Sequence, residues 1–355
     1  MLFRSSYLAA CGLARSLAPA LGDTELARWA PAFFTEALRT AAVREGLLEL
    51  VQRDVLRRVE VGLRSIGARG VLLKGMALTL RTREQGISVP PRATGDLDVY
   101  VGPDRGPALR RRLLELGFHG APDARPTSTH HLAPVTLQGI LVEIHTRITA
   151  PHWGLPEPEM LGRARPLASV EGIDTLDPEG LLLHAVVHCS QHCFSHGLRA
   201  AWDILAILRG SPDLDWDRLA RWVRAMRAPR GFWVPAAVLS RELGLPLPPD
   251  FLRGVPRDGL ERDLEAVDGR RLFRVAERVD ELDPLSRNAM LLLLHDSLGA
   301  RARYLGALCR WAMVRPGRKP RPAGSPPSGV AGLRQAWRHF QQYRRAVARA
   351  AADED

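Results

Sequence analysis

Residues 92–101 read Arg92-Ala93-Thr94-Gly95-Asp96-Leu97-Asp98-Val99-Tyr100-Val101, an alternation that predicts a β-strand over 97–101. Successive strand side chains leave opposite faces, so Asp96 and Asp98 stand side by side while Leu97, Val99 and Val101 turn toward a core. Two carboxylates this close repel and raise each other's pKa unless a cation sits between them. Together they form a hard oxygen site suited to Mg²⁺. Gly95 lets the chain turn into the strand at the open end of the sheet, where α/β proteins place ligands.

Two further segments bear on the same chemistry. In Leu141-Val142-Glu143-Ile144-His145, Glu143 and His145 share one face and the apolar residues the other. If this strand neighbours the first, Glu143 becomes a third carboxylate of the cluster. Three acidic side chains can hold two Mg²⁺ ions about 3.5–4 Å apart, the clamp used for in-line phosphoryl displacement. Upstream, Lys74-Gly75 follows the apolar run Val71-Leu72-Leu73. A strand that ends in glycine at a helix N-terminus offers backbone N–H groups to a phosphate, and Lys74 adds a point charge. Taken singly, each segment has a plainer explanation: a solvated edge pair, a polar sheet face, a turn. Their order and spacing within one α/β unit are far more specific.

The elements that must position these residues follow from periodicity. Helices are expected over 24–69, with Leu47, Leu48, Val51, Val55, Leu56, Val59 and Leu63 at helical spacing. A strand over 70–73, a helix-compatible stretch over 76–80 and a loop over 85–95 come next. After strand 97–101, a helix over 105–116 ends at Gly117, and strands over 131–137 and 140–148 flank a turn at Gln138-Gly139. A Pro/Gly-rich connection leads to Asp177-Pro178, an N-cap and first helical residue. Helices are then expected over 181–208, 215–226, 231–243, 259–279 and 285–313. Residues 315–329 form a basic Pro/Gly linker, and a basic helix over 331–350 precedes an acidic tail. The fold class is therefore α+β: a small mixed β-sheet domain with flanking helices, followed by a mainly helical domain. The expected divisions are N-terminal helices at 1–69, the catalytic unit at 70–150, the helical domain at 151–314, and linker with terminal helix at 315–355.

Composition narrows the partners. The 355 residues are 46% hydrophobic and 25% charged, ordinary for a folded chain of about two domains. No run reaches the roughly 20 apolar residues of a membrane span, and Arg4 and Arg15 interrupt any secretory leader. Four cysteines without a regular framework point to a reducing, cytoplasmic setting. The net charge of +11 comes from arginines interspersed with Asp and Glu, the pattern of solvated faces. Nucleic acid is thus an allowed partner but not the favoured one. Only Lys74 and Lys319 are lysines among the 50 basic residues, which makes the lysine inside an apolar run conspicuous. No Walker A loop or G-x-S-x-G elbow is present, which disfavours a P-loop kinase and a serine hydrolase.

The lines V-L-L-K-G-M-A-L, R-A-T-G-D-L-D-V-Y-V and L-V-E-I-H-T-R-I, with H-A-V-V-H, A-W-D-I-L and L-D-W-D-R-L downstream, resemble a largely uncharacterised bacterial nucleotidyltransferase family of the DNA polymerase β-like superfamily. The resemblance spans residues 45 to 250 and is best from 70 to 148. It implies that Asp96 and Asp98 bind two Mg²⁺ ions, that Glu143 binds the catalytic one, and that Glu143 or an aspartate takes the acceptor's proton. It further implies that Lys74 and Gly75 hold the triphosphate and that Arg92 stabilises phosphate charge, with Gly95 and His145 completing the nucleotide-binding set. Many superfamily members carry Gly-Ser or Gly-Gly where this chain has Lys74-Gly75. The implied reaction moves a nucleoside monophosphate from an NTP, ATP by default, to an unknown acceptor (small molecule, peptide, protein or RNA), releasing pyrophosphate. The alternatives are a nucleotide-binding module without turnover and a transferase acting on tRNA.

Other conspicuous residues have structural explanations. His184, His188, His192 and His196, interleaved with Cys189 and Cys193, close no four-ligand zinc set; His188 or His192 is expected to face the catalytic cleft. Asp203 is expected to pair with an arginine such as Arg199. Trp216, Trp222 and Trp233 are expected in the core, and His130 and His131 near the start of the hairpin.

Overall fold

A computed structural model describes residues 13–18, 32–86, 92–122, 124, 126, 128–192, 197–253, 288, 291–292, 294–295 and 298–314. The expected helices at 259–279 and 331–350 and the linker at 315–329 lie outside these residues. In chain order the elements are α1 (Ala14–Leu17), α2 (Ala32–Ser65), β1 (Gly70–Leu73), α3 (Lys74–Glu84), β2 (Asp96–Tyr100), α4 (Gly106–Glu115), β3 (Val135–Leu137) and β4 (Ile140–His145). They continue with α5 (Glu157–Gly162), β5 (Arg165–Pro166), β6 (Ile173–Thr175), α6 (Pro178–Gln191), α7 (Gly197–Gly210) and α8 (Trp216–Ala225). The last are α9 (Arg230–Leu243), α10 (Pro249–Arg253) and α11 (Leu298–Val314). The architecture is α+β, as the sequence implies. The described residues divide into two compact units: those within 1–151, 155–185 and 198–219, and those within 152–154, 186–197 and 220–355.

The first unit is built on a mixed sheet of order β3-β4-β2-β1-β6-β5. β1 pairs antiparallel with β2 and parallel with β6, and β2 pairs parallel with β4. With strands on both of its edges, β1 is buried along its whole Gly-Val-Leu-Leu length, as an internal strand requires. Val99, Leu97, Val142 and Ile144 meet Val55, Leu56, Val59 and Leu63 of α2 and Leu109 and Leu113 of α4 in one core. Gly62 lets α2 and α4 approach, because a Cβ there would lie 2.9 Å from the Leu113 Cδ2. Packing this face leaves the other face to the polar residues of β2 and β4. The hairpin turn is where the sequence puts it: Gln138 (φ 52°) and Gly139 (φ 78°) are both left-handed, as a two-residue turn between twisted strands demands.

Strands β5 and β6 are a correction, since the sequence reads 151–177 as an irregular connection. Two- and three-residue strands are too short to show an alternation, yet Ile173 and Thr175 pair with Gly70 and Leu72 and widen the sheet. Asp177 caps α6 as expected, its Oδ1 accepting from the Gly180 N–H at 2.9 Å. The single helical run expected over 181–208 is instead two helices, α6 and α7.

In the second unit, Phe232, Trp233 and Phe251 pack edge-on or tilted with ring centroids 5.0–5.9 Å apart. Trp222 and Trp233 are buried as expected, while Trp216, of the first unit, is half-buried. Among the described residues no helix is long and apolar enough to cross a membrane.

Candidate active site

The sheet register assembles the site. Parallel pairing sets Asp98 opposite Glu143, and antiparallel pairing sets Leu73 opposite Asp98, so Lys74 arrives beside the Asp98 carboxylate. Lys74 takes a left-handed backbone (φ 57°), a conformation that costs a residue with a Cβ roughly 1–2 kcal/mol. Its Nζ donates to Asp98 Oδ1 at 2.6 Å and lies 3.9 Å from Glu143 Oε2. His145 Nε2 is 2.8 Å from the same Asp98 oxygen and 3.6 Å from Glu143 Oε2, while its Nδ1 faces the Arg147 carbonyl at 3.3 Å. Asp98, Glu143 and His145 each offer a ligand atom within 4.8 Å of the others, the one such group of three found among the described residues.

Burial alone would raise the Asp98 carboxyl, but the Lys74 ammonium and the His145 hydrogen bond outweigh it and hold the carboxyl well below the ordinary range. Burial likewise works against the charged forms of Lys74 and His145, and Asp98 with its neighbouring carboxylates raises both. Asp98 is thus an anion clasped by the Lys74 ammonium and the His145 ring. Asp96 differs: burial and the nearby Asp98 push its carboxyl upward, against the pull of Lys74. It stands outside the 4.8 Å group and accepts a hydrogen bond from Thr94 Oγ1 at 3.1 Å. The expected trio of Asp96, Asp98 and Glu143 is therefore brought together only in part, and His145 takes the third place.

Three histidines surround this group. His131 Nε2 lies 3.9 Å from Glu143 Oε2, and its Nδ1 faces its neighbour's carbonyl, that of Leu132, at 3.0 Å. The rings of His130 and His131 each sit 5.4 Å from that of His145. Burial, then the nearby cationic groups, drive His130 down to about 2 and His184 down to about 3, so both stay neutral. Only the alternation around 131 hints at this company; the sequence placed His184 in a histidine stripe that closes no zinc set. His184 instead adjoins Lys74 and His145, whereas His188 and His192 pack against each other at 4.4 Å in the second unit. Cys193 and His196 lie outside the described residues.

Arg92 has a partner within the protein. Its Nε and Nη2 donate to Asp203 at 2.7 and 2.6 Å, a buried bidentate pair that ties the approach to β2 to α7. The fork that the family resemblance assigned to phosphate here donates to Asp203, which thus has Arg92 as an arginine partner. A Cβ on Gly75 would meet Thr94 Cβ at 2.9 Å and Arg92 Nη1 at 3.3 Å, so this glycine lets α3 start against the same segment. Gly95 is exposed, with open space around its Cα. Arg92→Ala is expected to cost about 3–5 kcal/mol by stranding the Asp203 carboxylate, and Arg92→Met with Asp203→Leu to regain most of it. Urea denaturation of the single and double variants checks this. A refolded double variant that no longer holds an NTP would return Arg92 to the phosphate.

The arrangement offers hard oxygen donors with one imidazole, a cation at hand, and a helix N-terminus whose N-cap, Leu73, supplies no side-chain cap. No curated protein and no solved structure matches the chain. One family model matches residues 6–242, a stretch that includes every residue of this site. With more than half its length matched, the chain belongs to the family described as uncharacterised nucleotidyltransferase.

Proposed function

We propose that the protein is a Mg²⁺-dependent nucleotidyltransferase of the polymerase β-like superfamily that transfers a nucleoside monophosphate from an NTP, ATP by default, to an acceptor hydroxyl. The observation that carries this reading is the in-register pairing of Asp98 with Glu143 on parallel strands, with His145 on the same group. The residues fit a divalent ion: Asp98 and Glu143 would hold it, with His145 as a nitrogen donor and Asp96 as the carboxylate for a second ion. When bound, such ions act as Lewis acids on the phosphate oxygens. Glu143 accepts the acceptor's proton as its oxygen bonds to the α-phosphorus, and the bond to the bridging oxygen breaks to release pyrophosphate. Lys74, Gly75 and the first turn of α3 bind the triphosphate. A cytoplasmic setting and an acceptor site in the helical part of the chain belong to the same proposal.

Incubating the full chain with labelled NTPs, Mg²⁺ and a cell extract should release pyrophosphate and label one fraction of that extract. NTP binding without release would favour the nucleotide-binding module, the reading to which the Lys74–Asp98 contact lends support. Label on tRNA, lost at raised salt or on deleting residues 315–355, would identify the acceptor as RNA.

A further inference from the structure

The Lys74 ammonium occupies a place that divalent chemistry also requires. Its Nζ is 2.6 Å from Asp98 Oδ1 and 3.9 Å from Glu143 Oε2, the two carboxylates that the β2–β4 register sets face to face. An ion held by carboxylate oxygens lies about 2.0–2.6 Å from them. A dication and an ammonium that both leaned on Asp98 Oδ1 would be like charges a few ångströms apart in a buried setting, where repulsion is strong. Asp98 Oδ1 is already shared with His145 Nε2 at 2.8 Å, so it has little room for a third partner. The left-handed backbone at residue 74 shows that this placement is held against local preference.

We infer that Lys74 is a tethered cation that competes with the divalent ion for Asp98 and turns to the nucleotide's phosphates when that ion binds. The inference rests on the metal-dependent reading above. Lys74 sits between the facing carboxylates, and the ammonium leaves Asp98 when another cation replaces it; the nucleotide's phosphates, when present, then receive it. Ion and NTP therefore bind with positive coupling, each weakly alone.

The test is Mn²⁺ binding to the full chain without nucleotide, followed by the electron-spin signal of the free ion. Lys74→Gly suits the φ of 57° and removes the charge, and Lys74→Met keeps the apolar stem. Both should bind Mn²⁺ about tenfold tighter or more than wild type, and added NTP should tighten Mn²⁺ less in the variants than in wild type. Equal or weaker binding in the variants would overturn the inference alone; no binding by wild type or variants would overturn the metal-dependent reading with it. A second measurement needs no variant. With Lys74 and Lys319 as the only lysines, amine labelling read by mass spectrometry reports on Lys74 directly. Mn²⁺ without nucleotide should raise Lys74 labelling several-fold relative to Lys319, and an unchanged ratio would refute the displacement.

Discussion

Asp98→Asn is expected to lower pyrophosphate release by at least about a thousandfold and to cost about 3–5 kcal/mol of stability, whereas Asp96→Asn should lose activity with its fold intact. The two aspartates are two residues apart on one strand, but their surroundings oppose each other. Asp98 is buried and clasped by Lys74 and His145, so neutralising it strands the Lys74 ammonium and leaves the His145 hydrogen bond without its charged acceptor. Asp96 is held charged against burial and against the nearby Asp98, so an amide there relieves repulsion. The pH dependence has the matching sign. Asp98's contribution is full above the ordinary carboxylate range and is lost progressively as pH falls from there to its much lower folded value, while Asp96's penalty fades as pH falls toward 4. Turnover and urea denaturation at pH 7 check the pair of variants. Equal stability of the two would refute the clasp, and retained turnover in either would end the metal assignment.

The second large effect is loss of stability in mild acid. His130 and His184 are held neutral down to about 2 and about 3, while an unfolded histidine takes up its proton near 6.5. Below pH 6.5 the unfolded chain binds protons that the folded chain refuses, so stability falls with pH at roughly 1.4 kcal/mol per unit for each histidine. At pH 5 the pair should have lost about 4 kcal/mol relative to pH 7. His145 has the opposite sign: its raised value gives stability that is full below 6.5 and fades as pH rises through its folded value. The maximum should therefore fall near neutrality, with the steeper limb on the acid side. Denaturation between pH 5 and 8 measures the slope, and His184→Gln should lower it by roughly 1.4 kcal/mol per unit. A flat acid limb would mean that water reaches both rings.

What could be read in the chain is what alternation encodes. The period of two in Asp96–Val101 and Leu141–His145 placed Asp98, Glu143 and His145 on one face, and the structure adds the register that brings them together. Gly117, Gln138-Gly139 and Asp177 marked their boundaries because turn and cap chemistry is local. Features that depend on distant partners left no trace. Arg92 and Asp203 meet across 111 positions, and nothing near either names the other. β6 is three residues long and is a strand only because β1 offers an edge to it. Asp96 faces the expected way, but its carboxylate turns to Thr94, a choice of rotamer that no spacing reveals. The histidine stripe is silent for the same reason: equal spacing does not say that His184 adjoins Lys74.

The parallel pairing of β2 with β4 has a kinetic side. Asp98 and Glu143 lie on strands that a tight turn cannot join, and residues 101–139, with α4 and β3, must be in place before the two meet. Such distant pairings close late, after the loop entropy between them has been overcome. Whatever bridges these carboxylates thus fastens a seam that the chain completes near the end of folding. It should slow unravelling and leave the rate of assembly nearly untouched.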